Sequence, residues 1–155
     1  VGGSPLTDPE LSVPAASDHD QIATVVPFRN LLFVTLAAGV AEVEGVSDLY
    51  IAPVRDDQVA YRDCRREFYD ALETTLGLGA THEADFRIHT PFVDFTKQQV
   101  VRQGMELGVP YELTHTCYEG RRPACGVCDA CTERRAAFAA VGVDDPISYQ
   151  ECPPS

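Results

Sequence analysis

Hydrophobic residues fall into blocks separated by polar turns, and the period inside each block predicts its element. From Arg29 to about Glu44 the chain is largely apolar and too long for a strand, so it reads as a buried helix. "DLYIAPV" (48–54) is a short apolar run ended by charge, as expected of a buried parallel strand. A polar loop, "RDDQVAYRDC", leads into a helix through "RREFYDALETTLGL". There Phe68, Leu72 and Leu76 recur at i, i+4 and i+8 and make one buried stripe. "DFRIHTPFV" (85–93) is a second strand. "TKQQVVRQGMELG" (96–108) is a helix with Thr96 as its N-cap and Gly108 at its end. A cysteine-rich loop follows, then a helix over roughly 129–141 and a Pro-rich tail. The first 26 residues, rich in Pro, Ser, Asp and Ala, hold no sustained period and are expected to be loop or extended chain.

This order, helix and strand alternating before the cysteine loop, predicts an α/β fold with a parallel sheet and helices. Two strands fall short of a stable parallel sheet, and the chain starts at Val1 without an initiating Met, so the sequence reads as the C-terminal part of something larger. A chain of 155 residues, 45% hydrophobic, is long enough for one real core. The run "LLFVTLAAGVA" (31–41) is short for a bilayer and continues into Glu42 and Glu44; with no export signal, a cytoplasmic protein without a membrane partner is expected.

Charge narrows the picture further. The formal net charge of −12 argues against direct nucleic-acid binding, which relies on Lys and Arg neutralising phosphates. Lys97 is the single lysine among the twelve Lys+Arg. High acidity with almost no lysine fits adaptation to a salt-rich cytoplasm, where a strongly charged surface keeps protein soluble.

"CYEGRRPACGVCDAC" (117–131) carries four of the six cysteines, at Cys117, Cys125, Cys128 and Cys131, in the spacing C-x7-C-x2-C-x2-C. In a reducing cytosol clustered cysteines bind metal more often than they form disulfides. A C-x2-C turn sets two thiolates on one side of a tetrahedral zinc site, Gly126 lets the backbone turn between ligands, and Pro123 stiffens the approach. Ordinary buried cysteines rarely cluster so densely. A redox pair would use one C-x2-C and leave Cys117 and Cys131 without a role. An iron–sulfur cluster is the serious rival, but the ferredoxin spacing wants its fourth Cys-Pro three residues on, where "TERR" stands, and Cys152-Pro153 lies far downstream. The balance favours structural zinc, held by four thiolates with no open coordination position.

Several segments, in order, resemble the 7-cyano-7-deazaguanine synthase family of the ATP-pyrophosphatase superfamily. They are "SPLTD" (4–8), "VPFRN" (26–30), "YRDCRREF" (61–68), "TPFVDFTKQQVVRQGMELGVPY" (90–111), "TCYEGRRPACGVCDACTERRAAF" (116–138) and "DPISY" (145–149). The resemblance implies a partial Rossmann-like, adenine nucleotide alpha hydrolase-like sheet over 1–115, with a zinc-binding region over 116–155 packed on it. It implies a ligase that converts 7-carboxy-7-deazaguanine, ammonia and ATP (with magnesium) to the nitrile preQ0, the precursor of queuosine and archaeosine in tRNA. A homodimer is the family-level expectation. A carboxylate is a poor electrophile, so activation on a nucleotide phosphate creates a leaving group for ammonia, and a second activation permits dehydration. Positioning and charge stabilisation suffice for this.

Carried over position by position, the resemblance implies substrate or nucleotide contacts at Arg29, Asn30, Asp63 and Lys97. Arg29 offers a planar fork for carboxylate or phosphate, and the Asn30 amide can meet a purine-like edge. Asp63 in "YRDC" could bind a metal or amine, although loop aspartates commonly serve turns. Lys97 offers a compact point charge for phosphate. Cys64 stands outside the zinc set and reads as a small buried residue. No residue is assigned to covalent catalysis.

The family's phosphate loop, Ser-Gly-Gly-x-Asp-Ser, which would cradle ATP on backbone N–H groups, does not occur in these residues; "VGGS" at the start is not followed by Asp-Ser. Arg62 replaces a family proline, Ala52 or Pro53 a glycine, and His115 a tryptophan. A truncated or degenerate synthase is therefore expected, with a non-catalytic zinc module that complements a partner, or an iron–sulfur protein, as the alternatives.

Overall fold

The computed structural model describes residues 2–18, 21–82 and 85–150, so Cys152 lies outside the described residues. The chain falls into two compact units, one made of residues 27–96 and the other of residues 1–26 with 97–155.

In the unit 27–96, helix α1 (Arg29–Glu44) ends at Gly45, whose φ of 68° is the left-handed C-cap that glycine adopts without strain. Strand β1 (Asp48–Tyr50) follows, then helix α2 (Arg66–Gly79) and strand β2 (Arg87–His89). The strands pair in parallel, Asp48 opposite Arg87 and Tyr50 opposite His89. Leu49 and Ile88 point inward, and with Val34, Tyr69 and Leu72 they form the core between sheet and helices. Tyr69 is fully buried, a core position the aliphatic stripe had not indicated; Phe68 and Leu76 pack at the margin of that core.

Both strands are shorter than their apolar runs. A ladder needs facing backbone groups, and Pro53 and Pro91 offer no N–H to extend it. Ile51 still donates to the His89 carbonyl at 3.0 Å, after which the pairing stops. The strands are also not buried on both faces: Tyr50 is 73% exposed.

Helix α1 corrects the expectation of a buried helix. Val34, Ala38 and Ala41 are buried, but Phe33, Leu36, Val40 and Val43 are 60%, 70%, 65% and 85% exposed. A sheet of two strands covers only one stripe of so apolar a helix. By length and composition alone, residues 22–44 are apolar enough to cross a bilayer, a test that core helices of soluble proteins also pass.

In the other unit, α3 (Lys97–Glu106) and α4 (Asp129–Ala140) pack through Val101, Ala137 and Phe138, with the Tyr111 ring edge-on to Phe138. Thr96 immediately precedes α3, and Gly108, at φ 69°, lies just beyond its end. Gly104 on α3 lies so close to Tyr111 that any side chain there would strike the phenol oxygen. The N-terminal segment is loop with 3-10 turns at Ala16–Asp18 and Gln21–Thr24; it is anchored where Ala16 donates to the Val127 carbonyl at 2.8 Å.

Candidate metal centre

The four cysteines converge, their Sγ atoms all within 4.8 Å of one another. Cys117 and Cys125 come from the loop, Cys128 caps α4, and Cys131 sits in its first turn. Each is buried, with Cys128 1% and Cys131 0% exposed. The 3.9 Å between the sulfurs of Cys125 and Cys131 matches the edge of a tetrahedron, about 3.8 Å for metal–sulfur bonds of about 2.3 Å. Gly126 makes the turn at φ 79°, in the left-handed region.

The backbone prepares these sulfurs for negative charge. The N–H groups of Cys125 and Cys128 point at the sulfurs of Cys117 and Cys125, each at 3.4 Å. Burial pushes the Cys117 thiol up, but N–H groups from Cys125, Glu119 and Arg121 outweigh it and bring the thiol down to about 7. Cys128 and Cys131 are pushed up, first by burial and further by neighbouring thiols. Four thiolates so close require a cation among them. A soft, closed donor set of this size could bind a metal such as zinc.

A polar latch holds the tail over this centre. Arg134, 4% exposed, donates to Asp145 through Nε at 2.6 Å and Nη2 at 2.9 Å. It also donates to the Thr114 hydroxyl and the Tyr111 carbonyl. The Tyr149 hydroxyl and the Ile147 N–H donate to the same Asp145 carboxylate. Burial raises the Asp145 carboxyl, but Arg134, Tyr149 and Ile147 hold it below its ordinary value. Ala124 then exchanges backbone hydrogen bonds with Ser148 and Gln150, which seats Tyr149 against the cysteines. The sequence reading missed Arg134, Asp145 and Tyr149. The available signal was period: Arg134 lies on the face of α4 that also carries Ala130, Ala137 and Phe138.

Three of the four expected substrate residues meet in the unit 27–96. Asn30 is buried, and its Nδ2 lies 3.1 Å from the Asp63 carbonyl and 3.4 Å from both Cys64 Sγ and Tyr69 Oη. Its backbone N–H donates to Asp63 Oδ2 at 3.2 Å. The Arg29 guanidinium lies 5.6 Å from the Tyr61 ring centroid, within cation–π range. Burial pushes the Cys64 thiol up to about 11. Lys97 belongs to the other unit, where its Nζ lies 2.5 Å from Glu133.

A parallel α/β unit and a unit closed around four clustered cysteines define the class, an α/β protein with a cysteine cluster that could bind a metal. Comparison with known proteins is more specific. The family model for "Queuosine biosynthesis protein QueC" matches residues 1–142. The chain is 41% identical over 155 residues to the 7-cyano-7-deazaguanine synthase of Chlorobaculum parvum, covering 99% of this chain and 68% of that protein. It is 43% identical over 155 residues to the synthase of Clostridium kluyveri, covering 96% and 69%. Against the synthase of a Sulfurovum strain the identity is 40% over 152 residues, covering 97% and 68%. The chain belongs to this queuosine-biosynthesis family.

Proposed function

We propose that the chain serves the reaction of its relatives, the ATP- and magnesium-dependent conversion of 7-carboxy-7-deazaguanine and ammonia to 7-cyano-7-deazaguanine, in a salt-rich cytoplasm and for queuosine or archaeosine in tRNA. The observation that carries this reading is the 41% identity to a synthase across 99% of the chain. In this reading the four cysteines hold zinc, and the region 116–155 around them is structural. The metal takes no part in the chemistry, because four protein thiolates fill its coordination shell.

The substrate residues divide by their chemistry and their partners: Lys97 already pairs with Glu133, and Arg29 Nε donates to Asn30 Oδ1 at 3.4 Å. Arg29 presents a guanidinium suited to a carboxylate or phosphate, and Lys97 a point charge suited to phosphate. The amide nitrogen of Asn30 is committed to internal acceptors, so Asn30 orients Asp63 and the start of α1. A homodimer is part of the same proposal.

The rival reading is a non-catalytic zinc module that complements a partner. The test combines the purified chain with a separately expressed relative's segment bearing the Ser-Gly-Gly-x-Asp-Ser loop, in the presence of both substrates and ATP. Nitrile formation with the segment, none without it, and zinc near one per chain are expected. Failure to form nitrile in the mixture would overturn the synthase reading in favour of the module. Iron and visible thiolate-to-iron absorption would overturn zinc.

A further inference from the structure

A cavity of about 380 Å³ lies within the unit that carries the cysteines, away from the sulfurs themselves. Three segments bound it: Glu112 with His115, the loop residues Arg122, Pro123 and Ala124, and the tail residues Pro146, Ile147 and Ser148. Each segment is pinned from behind. Arg134 donates to the hydroxyl of Thr114, next to His115, at 2.7 Å. Ala124 donates to the Ser148 carbonyl at 3.0 Å, and its own carbonyl accepts from the Gln150 N–H at 2.8 Å. Asp145 accepts from the Ile147 N–H at 3.2 Å and is itself held by Arg134. A small molecule entering this cavity meets walls already in place, which lowers the ordering cost of binding it.

The lining is divided in its chemistry. Pro123, Pro146 and Ile147 supply apolar walls, and Glu112, His115, Arg122 and Ser148 supply polar groups. The His115 Nε2 atom is buried and has no hydrogen-bond partner among the described residues. Buried polar atoms are ordinarily satisfied, so this one calls for a partner from outside the chain. Neither the Glu112 carboxylate nor the Arg122 guanidinium is held in an ion pair among the described residues.

These groups define what would complement them. With its proton on Nε2 a neutral imidazole donates, as do a guanidinium and a hydroxyl, so His115, Arg122 and Ser148 together suit a carboxylate. Glu112 only accepts, and it suits an ammonium while opposing a simple anion. A carboxylate and an ammonium carried on one carbon satisfy both demands, and the apolar walls take what that carbon also bears.

We infer that this cavity binds a free α-amino acid with an apolar side chain. Its carboxylate meets Arg122, His115 and Ser148, its ammonium meets Glu112, and its side chain lies against Pro123, Pro146 and Ile147. The inference makes no use of the synthase reading, since neither ATP nor a deazaguanine enters it.

The probe is L-leucine, titrated into the full chain and read by calorimetry at low ionic strength, where charges at a cavity mouth are least screened. Two analogues divide its charges: 4-methylpentanoate lacks the ammonium, and 3-methylbutylamine lacks the carboxylate. Saturable binding of L-leucine is expected, with each analogue at least about tenfold weaker, the loss of one charged contact. Arg122→Gln should weaken L-leucine by a similar factor. Glu112→Gln should bind L-leucine no better than 4-methylpentanoate. Both positions are exposed, so folding should survive, and unchanged circular dichroism checks it. Glu106→Gln, exposed on α3, should bind as the parent does. Absence of saturable L-leucine binding by the parent chain would overturn the site, and so would parental affinity in Arg122→Gln. Equal affinity of the parent for L-leucine and 4-methylpentanoate would overturn the amino-acid class and leave a plain carboxylate site.

Discussion

The two units solve the problem of a small core in opposite ways. The unit carrying the cysteines is held by chemistry: four sulfurs, a buried arginine–carboxylate pair and a phenol occupy the places where aliphatic side chains would ordinarily pack. The unit 27–96 is held by apolar packing around Tyr69, Leu72 and Ile88, yet it leaves most of one helix face uncovered. Clustered sulfurs and charge let few residues close on themselves, whereas apolar layers need area, and a pair of three-residue strands supplies little. The first unit should therefore break when one polar element is removed, and the second should lose stability in small steps.

The largest expected effect is removal of the zinc proposed above for the four cysteines. Because the unfolded chain holds no preformed site, zinc binding to four thiolates contributes on the order of 10 kcal/mol of folding free energy. Cys128→Ser, or a strong chelator with the native chain, should abolish cooperative unfolding of the cysteine unit and leave the helical signal of α1 and α2. The check is circular dichroism with segment-resolved hydrogen exchange. Equal loss of protection in both units would erase the contrast between them.

Next comes the latch. Arg134→Met leaves the Asp145 carboxylate buried without its partner and should cost about 3–5 kcal/mol, read as a fall in denaturation midpoint. The pH dependence has a definite sign. The folded Asp145 carboxyl lies below its ordinary 3.8, so its stabilisation is complete above that value and is lost as pH falls through the lower, folded one. Acid denaturation of the cysteine unit should accordingly show a step below about pH 4 that is missing in Asp145→Asn, a variant already weakened at neutral pH.

In the apolar unit the corresponding change is gentler. Asn30→Ala removes the donor shared by the Asp63 carbonyl, Cys64 and Tyr69 and should cost about 2 kcal/mol. Loss of the same size as in Arg134→Met would mean that this unit too depends on a single polar element.

These contrasts bear on what the sequence can disclose. The clustering of the four cysteines was legible because it is set by local spacing, and α1 was legible because its apolar run is too long for a strand. The strands were read too long because a ladder depends on facing groups far away in sequence, and nothing in "DLYIAPV" records where its partner stops. Helix α1 read as buried because composition reports how apolar a helix is and not whether enough sheet exists to cover it. Arg134 and Asp145 were passed over since charge ordinarily marks a surface. Their burial depends on meeting across eleven residues of chain. Asn30 and Asp63 were singled out as ligand contacts; their bonds to each other came from the fold.

The smallest expected effect tests the dry interior of the apolar unit through one atom. Cys64 is 3% exposed, and burial, reinforced by Asp57 and Asp63, raises its thiol from 9.0 to about 11. At neutral pH the folded protein should hold about a hundredfold less Cys64 thiolate than an ordinary cysteine would, and alkylation requires the thiolate. Iodoacetamide followed by peptide mass mapping should leave Cys64 unmodified in the native chain and modify it once Asn30→Ala loosens its surroundings. Rapid labelling of the native protein would show that this core opens locally, so that apolar packing without enough area gives less protection than the sulfur-and-charge core does.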